Sequence, residues 1–180
     1  KQQLQKVSSS TIISNIWRFV LFFLLQVLVC KRIDLSIGAF DYIHLLIYPL
    51  PIFMMPMKLP KALVLLLAFI MGLSVDAFYN SPGVHAAALV FSAYIKEFIL
   101  NFLEPFEGYN KDDFPTIKKM GIGWYMSFIS ILLLLHTFVY FSIEAFTFIY
   151  FFDIFLNTIF SFIVSFLVIM LTQLILRPKV

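Results

Sequence analysis

The stretch LLLAFIMGLSVDAFYNSPGVHAAALVFSAYI, Leu65 to Ile95, decides the fold. Two apolar runs meet at the polar turn Tyr79 to Pro82. Both runs are continuously apolar rather than alternating, so each reads as a helix long enough to cross about 30 Å of hydrocarbon. A hairpin of two membrane helices is the first expectation, with Asp76 in the last turn of one and His85 in the first turn of the other.

The rest of the chain extends this reading. Of 180 residues, 62% are hydrophobic and only 13% are charged, and the mean hydropathy is +0.97. Soluble domains carry roughly half apolar and about a quarter charged residues. A fold of this size could not hide so much apolar surface from water. The fold class is therefore an all-α polytopic membrane protein. The net charge of +3 does not point to nucleic acid, because in such a protein the placement of basic residues matters more than their sum.

Six stretches qualify as spans, at about 11–30, 40–57, 60–78, 83–103, 122–141 and 154–176. The second contains Pro49 and Pro51 and is expected to be kinked or broken. The third opens on Pro60, which suits a first helical turn. The longest connection, EPFEGYNKDDFPTIKK (Glu104 to Lys119), leaves no room for a soluble domain, so residues 1–180 read as one membrane domain. The first run is not expected to be a cleaved signal peptide, since it contains Arg18 and lacks a small-x-small site after it. Cys30 follows Val29 and precedes Lys31-Arg32, a poor setting for lipid attachment, and a single cysteine makes no internal disulfide.

Basic residues set the orientation. With the N-terminus inside, Lys1, Lys6, Lys58, Lys61, Lys111, Lys118, Lys119, Arg177 and Lys179 are cytoplasmic, against Lys31 and Arg32 outside. Both termini are expected in the cytoplasm.

Charges within spans cost about 2.5–3.5 kcal/mol each at the bilayer centre and usually face protein or water. Arg18 and Glu97 lie at matching depth in the first and fourth spans. An ion pair between them and an Arg18 that snorkels alone to the headgroups are the two readings. His44, His85 and His136, with Asp76 and Asp153, fall towards the outer side. None shows the close spacing of a metal site, so no metal is expected, and a polar, wet outer mouth is. Asp153, Asn157, Ser161 and Ser165 are i,i+4 neighbours on one helix face, expected to pack inward. Gly83/Ala87 and Ala88/Ser92 have the small-xxx-small spacing of close helix packing. No Gly-x-Ser-x-Gly elbow, phosphate loop or His-Glu-x-x-His is present, so neither an enzyme nor a cofactor is expected.

The opening stretch resembles the signature region of MreD, the rod shape-determining membrane protein family of bacteria. Gly72, Asp76, Gly83, His85 and the alanines after it follow the family's order. IWRFVLFFLLQVLV (Ile16 to Val29), with Arg18 and Gln26, is similar to its first helix. LLIYPLPIFMMPMKLPKALVLLLAFIMG (Leu45 to Gly72) is similar to its second and third, while the last two helices match in character only. The aromatic bias and the EPFEGY loop resemble the Bacteroidetes type.

The resemblance implies a non-enzymatic subunit of the elongation machinery in the bacterial cytoplasmic membrane. Its partners would be an MreC-like membrane protein and, through it, a RodA-type glycosyltransferase and a class B transpeptidase, with MreB filaments on the cytoplasmic side. Arg18, Gln26, Gly72, Asp76, Gly83 and His85 would organise the structure and the partner surface, and Glu97, Asp153 and Asn157 join them from the span analysis. The family is also similar in fold to the six-helix substrate-binding components of energy-coupling-factor transporters. That gives a second reading, a vitamin-binding transporter subunit, although the Ala-x-x-x-Ala-x-x-x-Ala docking face of such components has no clean example here. Under either reading Asp76 is expected to accept N–H groups at the start of the fourth helix, where the helix dipole favours negative charge, and His85 to share that network.

Overall fold

A computed structural model describes residues 9–33, 42–57, 59–106, 108–110, 113–147 and 149–176. Lys1, Lys6, Lys58, Lys111, Arg177 and Lys179, used above to set the orientation, lie outside the described residues. The elements are α1 (Ser9–Leu24), α2 (Leu50–Phe53), α3 (Lys61–Tyr79), α4 (Val84–Phe102), α5 (Ile117–Met120), α6 (Ile122–Ala145) and α7 (Phe151–Leu176). No strand occurs among the described residues. Helices α3, α4, α6 and α7 are each long and apolar enough to cross a membrane. Helix α1 continues through a π turn (Leu25–Val29) and a 3-10 turn (Cys30–Arg32).

Helix α4 is central. It packs along α3 on one side and α6 on the other, and α6 packs on α7. The core follows this order, with Met71 and Val75 of α3, Ala88 and Leu89 of α4, Phe128 and Leu132 of α6 and Ile169 of α7 all buried. Large side chains facing away from these seams, such as Phe69, Phe98 and Leu167, are exposed, as expected of helices that present one face to lipid.

The second stretch is not the helix expected over 40–57. Residues 40 and 41 lie outside the described residues, residues 42–47 form neither helix nor strand but bond alternately to two sides as an extended segment does, and only Leu50–Phe53 forms a helical turn. Pro49, Pro51 and Pro56 explain part of this, because each lacks the N–H that a helix interior needs. Backbone away from water and outside regular structure survives only where protein groups satisfy it, and here side chains do so from two directions. On one side the His44 and Leu46 N–H groups donate to Ser161 Oγ (2.8 Å) and Ser165 Oγ (2.9 Å). Those hydroxyls in turn donate to the Tyr42 and His44 carbonyls at 3.3 and 3.4 Å. On the other side Gln26, fully buried in the π turn, accepts from the Ile47 and Tyr48 N–H groups at 2.9 and 3.3 Å. Its amide nitrogen donates to the Leu45 carbonyl at 3.0 Å and to Tyr79 Oη at 2.8 Å. All four hydrogen-bonding sites of the glutamine amide are used.

Replacing Gln26 with leucine keeps the bulk but strands the Leu45 carbonyl and the Ile47 N–H in the core. An unsatisfied buried group costs about 1–3 kcal/mol, so we expect a clear drop in the unfolding midpoint of the purified protein. A midpoint equal to that of the unaltered chain would show that the extended segment is not held through Gln26.

At its far end this segment is tied to the α4–α6 connection, where the Met57 N–H donates to the Asp113 carbonyl at 3.0 Å. The Asp113 carboxylate accepts from the Asn110 N–H at 2.8 Å. That bond, helped by Lys119 at 3.4 Å and opposed by burial, holds the Asp113 carboxyl below its ordinary value.

Candidate functional site

The α3–α4 hairpin closes through two residues with left-handed backbone, Asn80 (φ 53) after α3 and Gly83 (φ 86) before α4. Asparagine and glycine tolerate that conformation best. The tight turn brings the end of α3 under the first N–H groups of α4. Asp76 Oδ1 accepts from the His85 N–H at 2.9 Å and from the Ser81 hydroxyl at 3.0 Å. Asp76 Oδ2 accepts from the Ala86 N–H at 3.0 Å. His85 Nδ1 lies 2.9 Å from both Asp76 Oδ1 and Ser81 Oγ, so the consistent assignment places the ring proton on Nδ1. Nε2 is then left as an acceptor, buried and without a hydrogen-bond partner among the described residues. The rings of Tyr79, Tyr140 and Tyr48 surround the imidazole, with centroids at 4.8, 4.9 and 5.3 Å. A carboxylate at a helix N-terminus with this many donors is strongly held.

Gly72 makes the hairpin possible one turn deeper. A Cβ built there would lie 2.3 Å from Ala86 Cα and 2.8 Å from the His85 carbonyl oxygen. The two helix backbones touch where Gly72 stands. Of the small residues singled out on α4, Ala88 and Ser92 are buried, whereas Ala87 is exposed and Gly83 serves the turn.

A second buried chain lies beyond the first. Tyr48 Oη is 2.9 Å from His136 Nε2, His136 Nδ1 is 2.9 Å from Ser92 Oγ, and Ser92 donates to the Ala88 carbonyl at 2.8 Å. Because that hydroxyl proton is committed to Ala88, the chain runs in one direction, from Tyr48 to His136 to Ser92 to Ala88. His85 and His136 are fully buried, so they do not line a wet outer mouth as the sequence suggested. The antiparallel packing of α4 and α6 explains the error: it sets His136 against Ser92, in the middle of α4, rather than near a helix end.

The polar ladder of α7 faces the extended segment. Asp153 Oδ1 accepts from Tyr42 Oη at 3.3 Å, and Ser161 and Ser165 bind backbone as described. Asn157 lies between them, with its buried Oδ1 unpartnered among the described residues.

Arg18 and Glu97 are not paired. Glu97 Oε2 lies 3.2 Å from Lys61 Nζ, with 61% and 44% of the two side chains exposed, a setting in which an ion pair adds little stability. Arg18 instead lies beside Pro51, Met54 and Met55. The ion-pair reading failed because depth fixes height but not direction around the helix. The hairpin register does fix it. Gly72 lies against Ala86, and eleven residues back along α3 and eleven forward along α4 bring Lys61 opposite Glu97.

Lys96 escaped the sequence reading. It is buried on α4, and its ammonium donates to the carbonyls of Ile52 (3.1 Å) and Met55 (2.9 Å), closing the end of α2. A lysine within an apolar span was the available signal. Among the described residues no group of three His, Cys, Asp or Glu is arranged to hold a metal ion. Gln26, Asp76, Lys96, Ser161 and Ser165 bind backbone of other segments, and the Tyr48–His136–Ser92 chain links side chains between α4, α6 and the second stretch. No family model, no curated protein and no solved structure matches the chain.

Proposed function

We propose that the protein is a non-enzymatic subunit of a bacterial elongation complex of the MreD kind, multi-pass in the cytoplasmic membrane and binding an MreC-like partner. The observation that carries this reading is Asp76. Its carboxylate is saturated by donors from its own hairpin, a use that suits a rigid docking frame and commits the carboxylate to structure. The partner surface is proposed at the end of the bundle that this hairpin organises. Contact with the glycosyltransferase, the transpeptidase and MreB filaments would run through the partner or through the opposite face.

The same proposal takes the chain through the bilayer six times, with the general plan of the energy-coupling-factor binding components. Support for a crossing by the broken second stretch comes from its two ends. Tyr42 reaches Asp153 at the start of α7, and Met57 reaches Asp113 in the connection ahead of α6. Lys31 binds the Phe78 carbonyl at the end of the bundle opposite to Lys61 and Lys119, which agrees with a cytoplasmic location for the latter two.

Two experiments test this. Co-purification with an MreC homologue expressed in the same cell is expected to recover a complex, and no recovery with a well-folded protein counts against the function. In a Cys30→Ala background, Asn80→Cys is expected to react with an impermeant maleimide added to intact cells, and Lys118→Cys to be protected. The reverse pattern would invert the orientation.

A further inference from the structure

The end of the bundle away from the Asp76 hairpin holds a cavity of ≈ 370 Å³ between the start of α3 and the end of α4. That volume is within the range of small-molecule sites, roughly 300–1,000 Å³. Its apolar wall comes from Met57, Leu59, Val64, Ala93 and Leu100. Lys96 also lines it, as the one buried lysine among the described residues.

The charges on this wall are unequal in their partners. At the mouth, Lys61 and Glu97 already answer each other, and the Lys61 ammonium also sits 4.0 Å above the Tyr94 ring. Glu104 stands at the rim, exposed, where solvent and salt screen it. Lys96 has two carbonyl partners and, among the described residues, no carboxylate. An ammonium has three N–H donors, so one remains unspent. A buried cation is costly unless an anion accompanies it, and among the described residues none fills the cavity beside this one, which is partly apolar and open at one side.

We propose that the cavity binds an anionic amphiphile, its oxyanion on the free N–H of Lys96 and its apolar chain along Val64, Ala93 and Leu100. A carboxylate or a phosphate headgroup satisfies the same donor, and the arms of the test separate these sources. The site does not depend on the partner-binding role proposed above.

The full chain, purified in an uncharged detergent, is titrated separately with oleate, dioleoylphosphatidylglycerol, uncharged dioleoylglycerol and inorganic phosphate, and its thermal unfolding is followed. Binding to the folded state alone raises the midpoint with concentration, by roughly 5–10 °C at a hundredfold excess over Kd for a chain of this size. That rise is expected with oleate, phosphatidylglycerol or both, and the larger of the two identifies the headgroup. An equal rise with dioleoylglycerol overturns the role of the charge, and an equal rise with inorganic phosphate overturns the role of the chain. The absence of a rise with either charged lipid overturns the site itself.

Lys96→Met is expected to abolish the rise. Because this variant also loses the carbonyl contacts of α2, Val64→Phe serves beside it, filling the cavity while leaving Lys96 in place. A full rise in Val64→Phe overturns the proposal even if Lys96→Met fails to fold.

Discussion

Asp76→Ala is expected to lower stability by about 3–5 kcal/mol, because several buried donors lose a charged acceptor at once. Four donors lose their acceptor together: the His85 N–H, the Ala86 N–H, the His85 ring N–H and the Ser81 hydroxyl. Each stranded group costs about 1–3 kcal/mol, though such losses do not simply add. Asp76→Asn keeps the shape and one oxygen but turns an amide NH2 towards a backbone N–H, so a smaller loss of about 1–3 kcal/mol is expected. Unfolding of the two variants in the same detergent checks the order, and recovery of the partner should fall in the same sequence. Equal stability of Asp76→Ala and the unaltered chain would remove both the lock and the functional reading built on it.

Gly72→Ala is the second large effect, and two opposing terms decide it. Within a helix, alanine is favoured over glycine by up to about 1 kcal/mol. Against that, the new methyl would overlap Ala86 Cα at 2.3 Å and Ala86 N at 2.7 Å. These are backbone atoms and cannot rotate away, so the helices must separate, and separation draws the Ala86 N–H off Asp76. Overpacking of this kind costs about 1–3 kcal/mol, and the lost hydrogen bond adds to it. The clash wins, and Gly72→Val should be worse. Gly123, where an added Cβ meets nothing within 4 Å, is the control: Gly123→Ala should be neutral or slightly stabilising. If Gly72→Ala behaves like Gly123→Ala in the unfolding assay, the close approach of α3 and α4 is wrong.

The α3–α4 hairpin was legible in the sequence because its information is local. Asp76, the turn residues and His85 fall within one short stretch, and helix-end chemistry dictates what a carboxylate does there. The inward orientation of Ser161 and Ser165 was legible for a similar reason, since the i,i+4 spacing of polar groups survives any choice of neighbour. What they bind was not. Hydropathy scores residues 42–48 as apolar whether they are helical or extended, and the donors that make the extended form tolerable come from Gln26 on one side and α7 on the other. Pro49 and Pro51 forecast a break but not its shape. Lys96 was passed over because the carbonyls it binds are backbone atoms freed by that same break, and no residue type announces a freed carbonyl. Glu97 was given the wrong partner because depth was compared without the hairpin register, which Gly72 carries.

The extended stretch also implies an order of assembly. Its hydroxyl partners on α7 lie 117 and 119 residues further along the chain. At about 5–20 residues per second, roughly 6–23 s of synthesis separate His44 from Ser161. During that interval Gln26 has already been made and can hold Ile47 and Tyr48, while the α3–α4 hairpin, locked by contacts only 9 and 10 residues apart, can close without help. The N–H groups of His44 and Leu46 have no such local answer. In the six-span arrangement proposed above, the second stretch would wait at the translocon or the headgroup region until the last helix arrives, and a chain stalled before α7 would be a ready target for membrane quality control.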